Sequence, residues 1–403
     1  MKPPKILVIE YPRPTTRTIR FIDTLRSLGA EVAYTDVAGA PAIPELAASR
    51  RITVRPPSFI DRQRVRFGVY PRRAPTLPFI ARTRSGLPTW RSWWYRATAA
   101  IKAERPDIYW CADLDTLPVG VWARRAAQGG SGVRTPILFD MHELWVEQGS
   151  LAIEQIPAWR EISRRFLPDV DHLVTVSDEF LTEVQREHGS LPATVIHSLA
   201  PDVEELQTEG AHAAYNIPSA AQIAVHIGTT APNRNPELGV RALQYLPNYY
   251  LIFGATEPAM QERLRSTATS VGVEERIRFT SNDVPRARLE ALLATCSVNL
   301  ILYGPSQSTK NQMLVLANKI FDGLAAGLPT VAAAGTVSGA YLEREAVGTT
   351  FIDDDPVSLA DAIRRAESSS LHAAVRARRH DFHWSANRPA IARVVELLTK
   401  EQL

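Results

Sequence analysis

The chain has 403 residues, 45% of them hydrophobic and 22% charged, and 46 Lys and Arg against 43 Asp and Glu leave a formal net charge of +3. This composition argues against a largely disordered chain, and the near-balanced charge does not indicate a nucleic-acid-binding protein. Two cysteines, Cys111 and Cys296, are too few for a disulfide scaffold or a cysteine-based zinc cluster. Because no apolar run is long enough for a signal peptide or a membrane span, we expect a cytoplasmic protein of two or three domains.

The first half of the chain alternates predicted strands with predicted helices. The apolar run KILVIE (5–10) predicts a buried strand, residues 15–29 carry Ile and Leu at helical spacing, and EVAYTDV (31–37) predicts a second strand. Further strands are predicted at 106–113, 136–143, 171–177 and 193–198, and further helices at 114–128, 161–170 and 178–189, the last capped by Ser177. Strand–helix–strand units of this kind build parallel sheets with helices on both faces.

A second alternating series follows a polar, proline-punctuated segment, 199–220, which we interpret as an interdomain linker. Its strands are predicted at 223–230, 249–255, 277–281, 297–304, 329–335 and 348–353, with helices between them, notably 317–327, and a final amphipathic helix at 385–400. The whole pattern predicts two doubly wound, Rossmann-like α/β domains with a central cleft at the facing carboxyl ends of their strands.

Four common α/β signatures are absent from the sequence: G-x-G-x-x-G after a strand, G-x-x-x-x-G-K-[ST], G-x-S-x-G and H-E-x-x-H. Their absence weakens the dehydrogenase, P-loop NTPase, hydrolase and zinc-protease interpretations together.

The segment FDMHEL (139–144) places Asp140, His142 and Glu143 where a buried strand ends. His142 is either a satisfied histidine in a surface loop or a histidine that hydrogen-bonds a substrate near the reacting centre. The residues alone leave both interpretations open.

The segment HIGTTAPNRNPEL (226–238) opens the second series with a strand, Gly228, Thr229 and Thr230, and then Arg234 before a helix. Glycine permits close backbone approach, free amides attract anions, and Arg234 supplies a fixed positive charge for phosphate. The alternative is a turn glycine followed by a solvated arginine.

The segment 303–333 is the most specific, because a strand runs into a long Gly/Ser/Thr/Asn loop before a helix that carries Lys319 and Asp322. Amides and hydroxyls of such a loop suit sugar hydroxyls and phosphate oxygens, and a carboxylate early in the helix suits the two hydroxyls of a ribose. The alternative is an ordinary helix between two strands.

Together these segments resemble family 4 glycosyltransferases of the GT-B fold. ADLDTLPVGVWARRA, ILFDMHELWVE and DHLVTVSDEFLTEV are similar, in order, to first-domain motifs of that family, and HIGTTAPNRNPELGVRAL is similar to its phosphate-contacting turn. NQMLVLANKIFDGLAAGLPTV resembles its donor-binding helix, and FHWSANRPAIARVVELL resembles the closing helix, which in this fold returns to the first domain. The similarity spans nearly the whole chain in the same order.

The resemblance implies an N-terminal acceptor-binding domain at 1–203, a nucleotide-sugar-binding domain at 204–385 and a returning helix at 386–403. It implies sugar transfer with retention from a nucleotide-diphosphate sugar to an acceptor hydroxyl, with no cofactor and no metal. The acceptor stays open: a small molecule, a glycan or a lipid-linked glycan.

The resemblance also implies roles for particular residues. His142 corresponds to the catalytic cleft histidine that contacts the transferred sugar, and Asp322 to the glutamate that binds the nucleotide ribose. The implied donor-binding residues are Gly228, Thr229, Thr230, Arg234, Ser308, Asn311, Lys319 and Asp322. The implied acceptor-side residues are Arg13, Asp113, Asp140 and Glu143.

The sequence departs from the family pattern at several of these positions. The first glutamate of the family's E-x7-E pair falls at Leu314, so that carboxylate is absent. Ser308 and Asn311 are expected to take over its role in binding the donor. The usual basic residue after the strand glycine is replaced by Thr229 or Thr230, Ala317 replaces a proline, and His197 stands where asparagine is common. These departures concern the choice of donor, and they motivate the alternative of an inactive nucleotide-sugar-binding homologue. A nucleotide-sugar epimerase of the same fold is the other alternative.

Residues 50–105 are strongly basic, with fourteen Lys and Arg against Asp61 and Glu104, and aromatic residues are interleaved with them. One interpretation is contact with an anionic membrane surface at the inner face of a membrane, or an anionic acceptor. Single-stranded nucleic acid is a weaker interpretation. The third is an arginine-rich loop and helix whose aromatics, including Trp90, Trp94, Ala97 and Ile101 on one face of a helix, belong to the core.

Overall fold

The computed structural model describes residues 3–56, 87–128, 134–149, 151–202, 210–280, 286–314 and 316–400. The chain divides into two compact units. The first unit contains Met1–His197 and Asn387–Leu403, and the second unit contains Ser198–Ala386. The sequence predicts the two divisions after residues 203 and 385.

The first unit is built on a seven-stranded parallel sheet in the order β3-β2-β1-β4-β5-β6-β7. Its strands are β1 Lys5–Ile9, β2 Glu31–Val37, β3 Arg50–Val54, β4 Ile108–Ala112, β5 Ile137–Asp140, β6 His172–Thr175 and β7 Ala193–Val195. Its first five helices are α1 Thr16–Ser27, α2 Leu87–Ile101, α3 Leu117–Gln128, α4 Ile156–Phe166 and α5 Asp178–His188. Every strand predicted in this half is present, and Ser177 caps α5 by accepting from the Phe180 amide.

Strand β3 was not predicted. It lies at the edge of the sheet, and Arg50 and Thr53 are exposed while Ile52 and Val54 are buried. Because only one side of an edge strand is buried, its sequence carries a short alternation instead of a continuous apolar run.

The aromatic residues of α2 belong to the core of the first unit. Trp93 and Trp94 are almost completely buried, as are Ala97 and Ile101. The Trp94 ring packs edge-on against Trp122 and Trp159, with ring centroids 6.1 and 6.0 Å apart. The core interpretation is therefore confirmed for Trp94, Ala97 and Ile101, whereas Trp90 is half-buried. The remainder of the basic segment, 57–86, lies outside the described residues, so contact with an anionic membrane stays a prediction.

The second unit is built on a six-stranded parallel sheet in the order β10-β9-β8-β11-β12-β13. Its strands are β8 Gln222–His226, β9 Tyr249–Phe253, β10 Ile277–Phe279, β11 Val298–Ile301, β12 Thr330–Ala333 and β13 Gly348–Phe351. Its helices are α6 Ala211–Ala214, α7 Pro236–Ala242, α8 Pro258–Ser270, α9 Arg286–Ala294, α10 Lys310–Leu314, α11 Asn318–Ala325, α12 Val337–Arg344, α13 Pro356–Ala366 and α14 Ser369–Arg378. All six predicted strands are present.

The predicted linker, 199–220, is wrong over part of its length. Ala211 and Ile217 are buried with Ile223 and Val225 in a core cluster of the second unit. Leu199 and Ala200 are buried as well, but a few widely spaced apolar residues in a polar segment give no helical or strand periodicity, so the sequence pattern did not reveal this packing.

The last helix, α15 Arg388–Lys400, belongs to the first unit, as predicted. Ile391, Val394 and Leu398 form its buried face. It contacts α1, and Arg388 Nη2 donates to the Ser27 carbonyl oxygen at 2.9 Å. Among the described residues, no helix is long and apolar enough to cross a membrane.

Candidate active site

Three neighbouring strands of the first unit, β1, β4 and β5, end in acidic residues. Glu10 follows β1, Asp113 follows β4, and Asp140 is the last residue of β5. Because parallel strands place their carboxyl ends at one edge of the sheet, residues far apart in sequence meet there. Asp113 has a φ of 62°, a left-handed conformation that aspartate tolerates better than most residues.

His142 lies between two of these carboxylates. Its Nδ1 is 3.2 Å from Asp113 Oδ2, and its Nε2 is 3.0 Å from Asp140 Oδ2. Its backbone amide donates to Asp113 Oδ1 at 3.0 Å. These contacts fix both the main chain and the ring of His142, and we call Glu10, Arg17, Asp113, Asp115, Asp140 and His142 the His142 cluster.

Arg17, on α1, forms an ion pair with Asp140. Its Nη2 lies 3.1 Å from Asp140 Oδ1 and also donates to the Ile196 carbonyl oxygen at 3.0 Å. The side chains of Arg17 and Asp140 are 7% and 0% exposed, so this ion pair is buried. A buried carboxylate needs such partners, since an unpaired charge in a protein interior is very costly.

The electrostatics of the cluster keep His142 charged. Burial alone would lower the pKa of His142, but Asp113 and Asp140 raise this pKa well above its usual value. Burial disfavours the Asp140 carboxylate, but Arg17 and His142 outweigh this effect and lower the pKa of Asp140 to about 2. At neutral pH the cluster therefore presents an imidazolium held by two carboxylates.

Glu10 and Asp115 are protonatable members of the cluster. Burial raises the pKa of Glu10 to about 7, against the opposing charge of His142 and the Thr15 amide, which donates to Oε2 at 2.9 Å. Burial, with Asp113 and Glu10 nearby, raises the pKa of Asp115 well above its usual value. Sequence reasoning missed Glu10, Arg17 and Asp115 as site residues.

The predicted acceptor-side residues are only partly brought together. Asp113 and Asp140 hold His142, whereas Arg13 Nη2 donates to the Pro41 carbonyl oxygen at 3.1 Å and Glu143 is exposed. Arg17, the second residue of α1, is the basic residue that lies beside Asp140.

In the second unit, the turn after β8 is open at its tip. Gly228 has a φ of 76° and is exposed together with Thr229. Thr230 is buried, and its hydroxyl donates to the Gly254 carbonyl oxygen at 2.7 Å. We call residues 228–230 the Gly228 turn.

Two cations lie close to the Gly228 turn. The Arg234 guanidinium is half-buried, with its central carbon 5.0 Å from the centroid of the Tyr303 ring. Lys319, on α11, is 9% exposed, and its Cε and Nζ would lie 3.6 and 3.8 Å from a Cβ placed at Gly228. Lys319 therefore lies beside Gly228, and Arg234, from a separate element, is close enough to Lys319 to lower its pKa.

The predicted donor loop contains a short helix, α10, that was not anticipated. Ser308 precedes α10, and its hydroxyl oxygen is buried without a hydrogen-bond partner among the described residues. Asn311 is buried and Asp322, on α11, is half-buried. Leu314, where the family pattern has a glutamate, packs against the hydrophobic core of the second unit.

Asp353, which sequence reasoning did not single out, fixes the start of this loop. The Ser306 amide donates to Asp353 Oδ2 at 2.7 Å. A Cβ at Gly304 would overlap Asp353 Oδ1, so a larger residue there would require this carboxylate to move.

Two doubly wound units, each with polar residues at the carboxyl ends of its strands, are the architecture of the GT-B fold. Sucrose-phosphate synthase from Thermosynechococcus elongatus has this fold at a TM-score of 0.69 and 16% identity, over 99% of this chain and 100% of that one. A glycosyltransferase from Rickettsia africae has a TM-score of 0.69 at 14% identity, over 100% of this chain and 99% of that one. HepE from Anabaena, in complex with UDP and glucose, has a TM-score of 0.67 at 15% identity, over 98% of this chain and 99% of that one.

The comparison with protein families matches one segment, which is just under half of the chain. Residues 14–201 match the family model described as a glycosyl transferase 4-like domain. None of the curated proteins matches the sequence closely enough to count as a relative. The chain therefore has the GT-B fold, and its residues 14–201 are similar to glycosyl transferase 4-like domains.

Proposed function

We propose that the protein transfers a sugar from a nucleotide-diphosphate sugar to an acceptor hydroxyl, with retention at the anomeric carbon and without a bound metal ion. The observation that carries this proposal is the position of Lys319 beside the exposed Gly228 turn, with Arg234 acting electrostatically on Lys319. A diphosphate leaving group develops negative charge, which preorganised cations and amides stabilise. The donor complexes of HepE contain UDP and UDP-glucose and agree with a nucleotide donor.

The roles of the remaining residues follow from their chemistry. Asp322 binds the ribose hydroxyls, and Ser308 offers its partnerless hydroxyl to the donor. His142 acts on the transferred sugar as a fixed hydrogen-bond donor, with Asp113 and Asp140 as positioning residues. The departing phosphate oxygen takes the proton of the acceptor, so no separate general base is required. We place the reaction in the cytoplasm.

A thermal-shift panel of nucleoside diphosphates, followed by a transfer assay with the matching sugar nucleotides, tests the proposal. A ligand that binds only the native state raises the melting temperature, and the preferred base narrows the choice of donor. Incubation with donor alone is the matched control, because an epimerase converts the donor without an acceptor. Binding without turnover across a donor and acceptor panel would instead indicate an inactive homologue.

Replacing Asp322 by alanine is expected to weaken nucleotide binding by about 1.5–3 kcal/mol, the usual contribution of charge-assisted hydrogen bonds. Calorimetry with the preferred nucleoside diphosphate measures this loss. The exposed Asp361, on α13, provides a control: Asp361→Ala should leave the affinity unchanged. Equal affinities of Asp322→Ala and wild type would mean that α11 does not contact the ribose.

A further inference from the structure

A buried lysine–histidine pair lies beneath the Gly228 turn. Lys319 Nζ is 3.4 Å from His226 Nε2, and His226 is completely buried at the end of β8. His226 Nδ1 lies 2.9 Å from the Leu300 carbonyl oxygen. Since a carbonyl oxygen only accepts, Nδ1 carries the hydrogen and Nε2 presents its lone pair to Lys319. This arrangement fixes the position of Nζ.

The surroundings of Lys319 disfavour its charged form. The titratable groups that face it are His226 from β8, Arg234 from the segment before α7, and Asp322 from its own helix. Burial and Arg234 lower the pKa of Lys319 to about 7, with Asp322 opposing them. Burial and Lys319 also hold the pKa of His226 well below its usual value, so the imidazole is neutral. Within the described ranges, no carboxylate forms an ion pair with Nζ.

The Lys319 amine lies directly beside the exposed Gly228. Gly228 has no side chain and is exposed, and Nζ would be within 3.8 Å of a Cβ at that position. An anion at the Gly228 turn therefore meets both Arg234 and Lys319. An added negative charge close to an amine favours the protonated form of that amine.

We propose that Lys319 takes up one proton when the diphosphate of the donor binds at the Gly228 turn, and that His226 is the positioning residue that holds Nζ there. The inference rests on the proposed function. The proton comes from solvent and adds to the Nζ lone pair, while the imidazole stays neutral with its hydrogen on Nδ1. Lys319 thereby supplies the second positive charge that Thr229 and Thr230 lack.

Because a proton is taken up on binding, the affinity for the donor should decrease as the pH rises. Above the pKa of the free enzyme, Lys319 is uncharged before binding and charged afterwards. The affinity therefore falls as pH rises, by up to tenfold per pH unit. Sugar nucleotides suit the test because their diphosphate is esterified at both ends and does not titrate near neutral pH.

The experiment is calorimetric titration of the full chain at pH 8.0 with UDP-, ADP- and GDP-glucose, in two buffers that differ in ionisation enthalpy. The ligand that binds best should show uptake approaching one proton per bound ligand. Lys319→Arg, whose charge is permanent, should bind without uptake. Lys319→Met should bind without uptake and roughly tenfold or more weakly at pH 7. Lys102→Met, at an exposed lysine of the first unit, should behave as wild type.

His226→Gln separates the positioning role from a merely structural one. It should reduce proton uptake and donor affinity together, with a melting temperature that reports whether the unit still folds. Donor binding by wild type without proton uptake would overturn the inference and leave the proposed function intact. Uptake that persists in Lys319→Arg would also overturn it, by placing the titrating group elsewhere. Failure of all three sugar nucleotides to bind would contradict the proposed function itself.

Discussion

Replacing His142 by alanine is expected to lower kcat of sugar transfer by about a hundredfold, the usual cost of removing one preorganised donor from a reacting centre. The ring is held by Asp113 at 3.2 Å and Asp140 at 3.0 Å, so its geometry is set before the substrate arrives. Affinity for the nucleoside diphosphate should change by less than about twofold, because its proposed contacts all lie in the second unit. Steady-state kinetics and calorimetry on the same preparation separate the two effects.

Two further variants sharpen this prediction. His142→Gln keeps a hydrogen-bond donor but not the charge, so its kcat should lie between those of alanine and wild type. His188→Ala, at a histidine of the same unit that contacts the Ser163 hydroxyl, should retain wild-type turnover. Turnover of His142→Ala equal to that of wild type would refute the assigned role.

Replacing Arg17 by methionine is expected to destabilise the protein by about 3–5 kcal/mol, because it leaves the Asp140 carboxylate buried beside one partner fewer. Asp140→Ala should cost a similar amount, since Arg17 and His142 both lose a partner. Chemical denaturation at pH 7 measures these losses. The folded-state pKa of Asp140 is about 2, so its contribution is fully present above the unfolded pKa of roughly 4 and is lost as pH falls through about 2.

The double variant Arg17→Met, Asp140→Leu tests whether the cost comes from the unpaired charge. It removes both ions and should recover much of the loss, with His142 still held by Asp113. Arg164→Met breaks an exposed pair with Glu161 and should change stability by less than about 1 kcal/mol. Single variants as stable as wild type would mean that water reaches and solvates the Arg17–Asp140 pair.

The architecture was predictable because both sheets are parallel and largely buried. Strands such as β1 and β4 are continuous apolar runs in the sequence. The helices between the strands have common capping residues and apolar residues at helical spacing. The sequence pattern missed the edge strand β3, the short helix α10 and the buried residues of the predicted linker, such as Ala211 and Ile217, because these segments carry little apolar periodicity. Their positions are set by tertiary packing rather than by local sequence.

The sites were predictable only in outline. His142, Arg234 and Lys319 stand out because each lies next to a strand end or in a polar segment. In the sequence, Glu10 is only the last residue of a predicted strand, and Arg17 is only one of several polar residues of a predicted helix. Neither position indicates a functional site. Glu10 and Arg17 lie near Asp140 and His142 because β1 is next to β4 in the sheet. The order of strands in a sheet cannot be derived from a short segment of sequence.

Helix α15 has a consequence for how the protein is made. The first unit is assembled from residues before and after the second unit in the sequence, so its Arg388–Lys400 helix is synthesised after the whole of the second unit. Until then the face of α1 that contacts this helix is uncovered. The first unit therefore cannot complete its folding before the second unit has been synthesised, and the nascent chain exposes that face of α1 in the meantime.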